Sequence, residues 1–182
     1  MTERSPPSQA TSMEETFRVF FEEELDYVYR SLKRLGVQER DLEDVAHDVF
    51  VEVHRAFDRF DASRPAKPWL FAFAFRLASD YRRLGRHRMV PTSDVEQLPQ
   101  ATHTPGALDT LVDVEKRALV ARALDDLDLE RRAVLVLHDV DDIPVPEIAQ
   151  ALGIPLNTAY CRLRLAREAM RDAVKRQRAR ER

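Results

Sequence analysis

Apolar residues recur at three- and four-residue steps along most of this chain, and one stretch, residues 89–106, breaks the period altogether. Pro91, Pro99 and Pro105 stand there among Thr, Ser and Gln, giving neither a helical nor an alternating pattern. Such a segment joins elements without packing, so the helices on its two sides must build separate cores. No strand pattern stands on either side. The expected fold is all-α: two small helical domains, a helical bundle and a helix-turn-helix, joined by a Pro-containing linker.

Phe17, Phe20, Phe21, Leu25, Val28, Tyr29 and Leu32 mark a first amphipathic helix ending near Gly36. Asp41 is placed as the N-cap of a second, over 41–59, with Asp44 at its third position. Its apolar face is Leu42, Val45, Ala46, Val49, Phe50, Val53 and Phe57. Asp61–Pro68, with two prolines, reads as a loop, and a third helix runs from Trp69 to about Gly85. Beyond the linker, Leu111, Val114, Leu119, Ala123 and Leu127 mark one helix. Leu129–Asp139 marks the next, with Val134, Leu135 and Leu137 inward. The domain bounds expected are a disordered N-terminus over 1–13, a first domain over 14–88, a linker over 89–107, a second domain over 108–174 and a basic tail over 175–182.

The sharpest pattern lies over residues 146–171. Ile148, Ala149 and Leu152 form the inward side of a short helix that breaks at Gly153, where a positive φ carries no steric cost. Ile154 plugs the corner, Pro155 prevents continuation, and Asn157 or Thr158 is placed to cap the next helix. A small Ala149 lets two helices cross closely, as a helix-turn-helix requires. In the second helix Ala159, Leu163, Ala166 and Met170 form the buried stripe. The other face carries Asn157, Thr158, Tyr160, Cys161, Arg162, Arg164 and Arg167. Amide, hydroxyl and guanidinium groups on one exposed helix face suit the base edges and phosphates of a major groove. An αα-hairpin with a merely solvated arginine face is the plainer alternative.

The charge of the chain sums to −3, from 29 Lys+Arg and 32 Asp+Glu, which gives no hint of a nucleic-acid partner. Its distribution does. Residues 14–61 carry a net −7 and residues 107–142 a net −5, whereas 76–88 carry +4 and 161–182 carry +6. Trp69, Phe71, Phe73, Phe75 and Tyr81 share a helix with Arg76, Arg82, Arg83, Arg86 and Arg88. Aromatics beside cations can stack on unpaired bases while arginines hold phosphate; the same rings also fit ordinary core. The acidic helix 41–59 fits a face for a basic partner or a solvated face equally well.

Other classes are poorly supported. A single cysteine, Cys161, excludes a disulfide framework and a Cys-based zinc site. His47 and His54 are seven apart without an HExxH, and His87, His103 and His138 are scattered, so neither a metal nor any other cofactor is expected. No phosphate-binding glycine motif, catalytic Ser/His/Asp pattern or membrane-length apolar run occurs, and Met1–Ser12 lacks the apolar stretch of a secretory signal. The expectation is a cytoplasmic, non-enzymatic protein without membrane insertion.

Asp41-Leu42-Glu43-Asp44-Val45-Ala46-His47-Asp48-Val49-Phe50, Phe57 with Phe60, Pro68-Trp69-Leu70 and Asp80-Tyr81-Arg82-Arg83 resemble region 2 of extracytoplasmic-function (ECF) sigma factors. Glu147-Ile148-Ala149, Leu152-Gly153-Ile154 and Asn157-Thr158-Ala159-Tyr160-Cys161-Arg162-Leu163 resemble their region 4, as do Arg131-Arg132 and Leu135-Val136-Leu137. The resemblance implies a promoter-specificity subunit of bacterial core RNA polymerase, held by an anti-sigma factor. It places Asp41, Asp44, Val45, Asp48, Val49 and Glu52 against the clamp coiled coil of the largest polymerase subunit. Arg64, Lys67, Trp69, Arg76, Asp80, Arg82 and Arg83 then meet the melted −10 element of promoter DNA. Asn157, Thr158, Tyr160, Cys161, Arg162, Arg164 and Arg167 read the −35 duplex. The chain departs from the family pattern at His47, where Gln is frequent, at Arg76, where Asn is frequent, and at Asp128, where Pro is usual. Asn157–Cys161 likewise replaces the common Gly-Thr-Val-Lys-Ser. Two competing readings are a stand-alone helix-turn-helix regulator and a helical adaptor. A simple regulator needs neither the acidic helix nor the aromatic one of residues 41–83.

Overall fold

The computed structural model describes residues 9–87 and 118–180, and the chain divides into two compact units. Every regular element among the described residues is helical. The first unit holds α1 (Gln9–Arg34), α2 (Leu42–Arg55) and the body of α3 (Ala66–His87). The second holds the helical stretch α4 (118–125), α5 (Leu129–Leu135), α6 (Val145–Leu152) and α7 (Leu156–Arg180). The linker 89–107, together with Leu111 and Val114, lies outside the described residues.

In the first unit α1 packs on α2 and the core gathers Val28, Leu32, Val49, Val53, Leu70, Phe71 and Ala74, all fully buried. α1 closes on Gly36, whose φ of 90° only glycine adopts freely. The Val37 N–H returns to the Leu32 carbonyl at 3.1 Å and the Gly36 N–H to Lys33 at 3.0 Å, satisfying two carbonyls at the helix end. α1 begins at Gln9, inside the stretch 1–13 expected to be disordered. Between Pro7 and Phe17 no proline or glycine stops a helix that the apolar stripe has already nucleated. α2 ends at Arg55 rather than at 59, and Phe57–Arg59 forms a separate 3-10 turn. The break aims Phe57 and Phe60 at α1, where each stands within 5.2 Å of the Phe20 ring. α3 starts three residues before Trp69 and takes in Pro68, because a first-turn N–H has no helical partner to lose.

The second unit is held by α5 against α7, with Val134, Val136, Leu137, Ile148, Ala159, Ala166 and Ala173 all fully buried. Asp128, where the family it resembles usually has proline, caps α5: its carboxylate accepts the Arg131 N–H at 2.8 Å. Asp128→Ala should cost about 1 kcal/mol and lower the melting temperature of this unit by roughly 4–8 °C. Circular dichroism checks this, and an unchanged melt would deny the cap. The helix expected over Leu129–Asp139 changes at Val136 into one π-helical turn, Val136–Val140, closed by Asp141 N–H to the Val136 carbonyl at 3.1 Å. Asp142 then takes φ 56°, which a short acidic side chain tolerates.

Gly153, φ 63°, ends α6 as expected, with Ile154 N–H bonded to the Ala149 carbonyl at 3.0 Å. α7 begins at Leu156, so neither Asn157 nor Thr158 caps it. Pro155, which needs no N–H partner, takes the entry position, and its carbonyl receives the Ala159 N–H at 3.1 Å. α7 also runs on through Arg180, because the basic tail contains only good helix formers.

Candidate nucleic-acid interface

On α2, Asp44 and Asp48 are exposed and Val45 and Glu52 half-buried, with Glu52 paired to Arg55. Val49 is fully buried, and its expected place on a docking face is corrected. Leu42, Ala46, Val49 and Val53 step by 4, 3 and 4 on the inward stripe, so no partner can reach its side chain. Asp41 also differs from expectation. It gives α2 no side-chain cap, because the 3-10 turn Glu39–Asp41 leads straight into the helix and leaves its backbone helical. Its carboxylate instead accepts the Tyr81 hydroxyl of α3 at 2.6 Å, tying together the helices that carry the two expected sites of this unit. Burial, then the bond to Asp41, raises the Tyr81 phenol above its ordinary range.

On α3, Trp69, Phe73, Arg76, Asp80 and Arg83 succeed one another at steps of 4, 3, 4 and 3, so one stripe carries most of the set expected to meet unpaired bases. Arg76, Asp80 and Arg83 are exposed along it. Arg82 falls off the stripe and is half-buried. The Arg76 guanidinium stands 4.6 Å from the Phe73 ring centroid, a cation on an aromatic face. The Trp69 ring is half-buried and not free-standing: Phe60, Phe73 and Phe20 lie at 4.9, 5.0 and 6.3 Å. Phe20 and Phe60 are therefore neighbours of Trp69 that the expected base-contact set does not include, although Phe17/Phe20 and Phe57/Phe60 share the three-residue spacing of paired rings. Lys67 turns away, its ammonium 5.6 Å from the Tyr27 ring. Arg64 is exposed in a turn where Asp61 accepts from the Ser63 hydroxyl and N–H at 2.6 and 3.0 Å; these bonds hold the Asp61 carboxyl below its ordinary range.

In the second unit the expected stripe Ala159, Leu163 and Ala166 is buried and Met170 half-buried, which turns Asn157, Tyr160, Cys161 and Arg164 outward together. Tyr160 is 52% exposed. Thr158 and Arg162 are half-buried at the flank of that face. Arg164 pairs along its own helix with Glu168 at 2.8 Å. Arg167 is exposed like the others, but its guanidinium is engaged by Asp139. Its Nε donates to Asp139 Oδ2 at 3.0 Å and its Nη2 to Oδ1, and these bonds hold the Asp139 carboxyl below its ordinary range. Arg132 is buried and pairs with the exposed Asp125 at 3.1 Å, so it is not part of the outward face.

Among the described residues no group of His, Cys, Asp and Glu could hold a metal ion, and no helix is long and apolar enough to cross a membrane. These surfaces offer hydrogen bonds, charge and aromatic faces.

Two family models match the chain, sigma-70 region 2 over residues 20–88 and sigma-70 region 4 over residues 117–170. The chain is 29% identical over 140 residues to RNA polymerase sigma factor NccH of Alcaligenes xylosoxydans xylosoxydans, covering 76% of this chain and 75% of that protein. It is 28% identical over 152 residues to the ECF RNA polymerase sigma-E factor of Escherichia coli K12, covering 79% of each. Among solved structures it resembles the sigma factor RpoE of Bartonella quintana, solved with the anti-sigma factor NepR, at TM-score 0.67 and 19% identity over 88% of this chain and 98% of that one. CnrH, solved with the cytosolic domain of CnrY, matches at TM-score 0.61 and 23% identity over 89% of each chain.

Proposed function

The chain belongs to the ECF sigma factors, carrying sigma-70 region 2 and region 4 in that order, and on this premise we propose that it is the promoter-specificity subunit of a bacterial RNA polymerase. Region 2 spans 14–88, a linker 89–107 and region 4 108–174. Asp44 and Asp48, with Val45 and Glu52 beside them, dock on the clamp coiled coil of the largest subunit. The stripe from Trp69 to Arg83, with the turn at Arg64, holds the unstacked strand of the −10 element. α7 enters the major groove of the −35 element with Asn157, Tyr160, Cys161 and Arg164 toward the bases and Arg162 at the edge. The protein acts in the cytoplasm and makes or breaks no bond itself; the chemistry belongs to the polymerase. RpoE and CnrH were solved with NepR and CnrY, and this chain too is held by an anti-sigma factor until released.

The observation that carries this is the pairing of two different surfaces on one chain. Aromatic-plus-cation chemistry suits single strands, and an exposed amide, phenol and arginine on a helix suit a duplex groove. Addition of the purified protein to core polymerase should start transcription at a discrete site on a cognate promoter. Duplex binding by the chain alone, with no association with core polymerase, would favour the stand-alone regulator. Arg162→Ala or Arg164→Ala should weaken −35 binding by about 1–3 kcal/mol where a base contact is lost, and less where the contact is to phosphate. An unchanged footprint in both variants would sink the assignment of α7 as the reading helix.

A further inference from the structure

Arg167 stands on the basic side of α7, yet its guanidinium is committed elsewhere. Both branches of the fork engage Asp139, 28 residues earlier in the chain, and Nη2 also lies 3.2 Å from His138 Nδ1. His138 Nδ1 in turn sits 2.8 Å from Asp139 Oδ1. His138 and Asp139 both belong to the π-helical turn Val136–Val140. One extra residue in a turn rotates the downstream residues by about 100° relative to an uninterrupted α-helix, and here that rotation aims Asp139 at α7. The chain is held in this course by the Asp141 and Ile143 N–H groups, bonded to Val136 and Leu137 at 3.1 and 2.9 Å.

The buried stripe of α7 explains why such a tie matters. Three of its residues, Ala159, Ala166 and Ala173, are alanines, and only Leu163 among the fully packed positions is large. A stripe so smooth offers few ridges to interlock with a neighbour, so packing by itself resists rotation of the helix about its axis weakly. A planar two-point fork adds a directional restraint on that rotation, which the point charge of a lysine would not.

We infer that Arg167 is a positioning residue: clamped to Asp139 of the π-helical turn, it fixes the rotation of α7 and so the aim of Asn157, Tyr160, Cys161 and Arg164, without touching DNA itself. The inference rests on α7 reading a duplex, and the experiment separates the two. The full-length wild-type chain selects duplexes from a randomised pool, and the enriched duplex then serves as probe for Arg167→Ala, Arg167→Lys and Asp139→Asn, each checked for helical content at the binding temperature. All three variants should bind about tenfold more weakly, the Arg167→Ala/Asp139→Asn pair no worse than either alone. Discrimination should flatten at several adjacent base positions at once, while the slope of affinity against salt stays that of the wild type. A phosphate contact predicts the reverse: Arg167→Ala lowers the salt slope by about 1, leaves sequence preference intact, and Asp139→Asn is neutral. That pattern overturns the clamp. Uniformly weaker binding with unchanged preference and slope reports a mere loss of folded protein and overturns it too. A wild-type chain that enriches no duplex overturns the DNA-reading role beneath it.

Discussion

Phe71→Ala should unfold the first unit under conditions where the wild-type chain keeps it. Phe71 is among the largest side chains with no exposed surface, one turn of α3 before Phe75 and next to the equally buried Leu70. Truncating a buried phenylalanine costs about 3–5 kcal/mol, the lost transfer energy plus the cavity. A helical unit of this size has little more than that in reserve, since whole domains hold about 5–15 kcal/mol and small ones sit at the low end. Trp69, the only tryptophan of the chain, lies in the same unit and packs on Phe60 and Phe73, so its fluorescence tracks this unit selectively. The urea midpoint by fluorescence should fall by about 2 M or more. Far-UV ellipticity from α5 and α7 should persist where the fluorescence transition is complete. A midpoint within about 0.5 M of wild type would deny Phe71 its place in the core.

That core is also the part most legible in the residues. Val28, Leu32, Val53 and, in the second unit, Val134, Leu137, Ile148 and Ala159 sit where three- and four-residue steps put them, because burial of apolar area dominates where a helix turns. The Gly153 corner is equally legible, since a positive φ with proline two residues on leaves few backbone courses. Period cannot show the hand-over between neighbouring helices. The π-helical turn at Val136 has no residue signature: Val, Leu, His and Asp all continue an α-helix, and the backbone bonds that close it, from Asp141 and Ile143 N–H, leave no mark on the choice of side chains.

The sites divide in the same way. Asn157, Tyr160, Cys161 and Arg164 gather as their spacing requires, whereas Arg167 and Asp41 are diverted by partners 28 and 40 residues distant in sequence. A charged side chain near a chemically plausible face is claimed by whichever opposite charge or donor folding brings within reach, and sequence separation carries no information on that. Val49 is the converse case: its apolar character fits a docking face, and only the register of the inward stripe decides against it. Trp69 lies between, placed correctly on α3 but held by rings from α1 and the turn after α2.

Asp44→Arg with Asp48→Arg should abolish association with core polymerase while leaving the fold intact. Both carboxylates are exposed on α2, one helical turn apart on the same side. Neither stands among the buried side chains, so the stability cost of the pair should stay near the ±0.5 kcal/mol of ordinary surface changes. The first turn of α2 does lose an acid that favours its positive end, a penalty of about 0.3–1 kcal/mol. Against a basic partner surface, by contrast, two reversals remove two attractions and install two like-charge contacts, each costing several kcal/mol at a docked interface. Affinity for core polymerase should therefore fall by more than about a hundredfold, with most of the early loss in the association rate and a weaker dependence on salt. Binding of the −35 duplex by the free chain, proposed for α7, should be unchanged. The contrast with Phe71→Ala is the diagnostic: there Trp69 fluorescence collapses together with polymerase binding, and here binding is lost with the fluorescence midpoint preserved. Polymerase association within a few-fold of wild type for the doubly reversed chain would remove α2 from the docking surface.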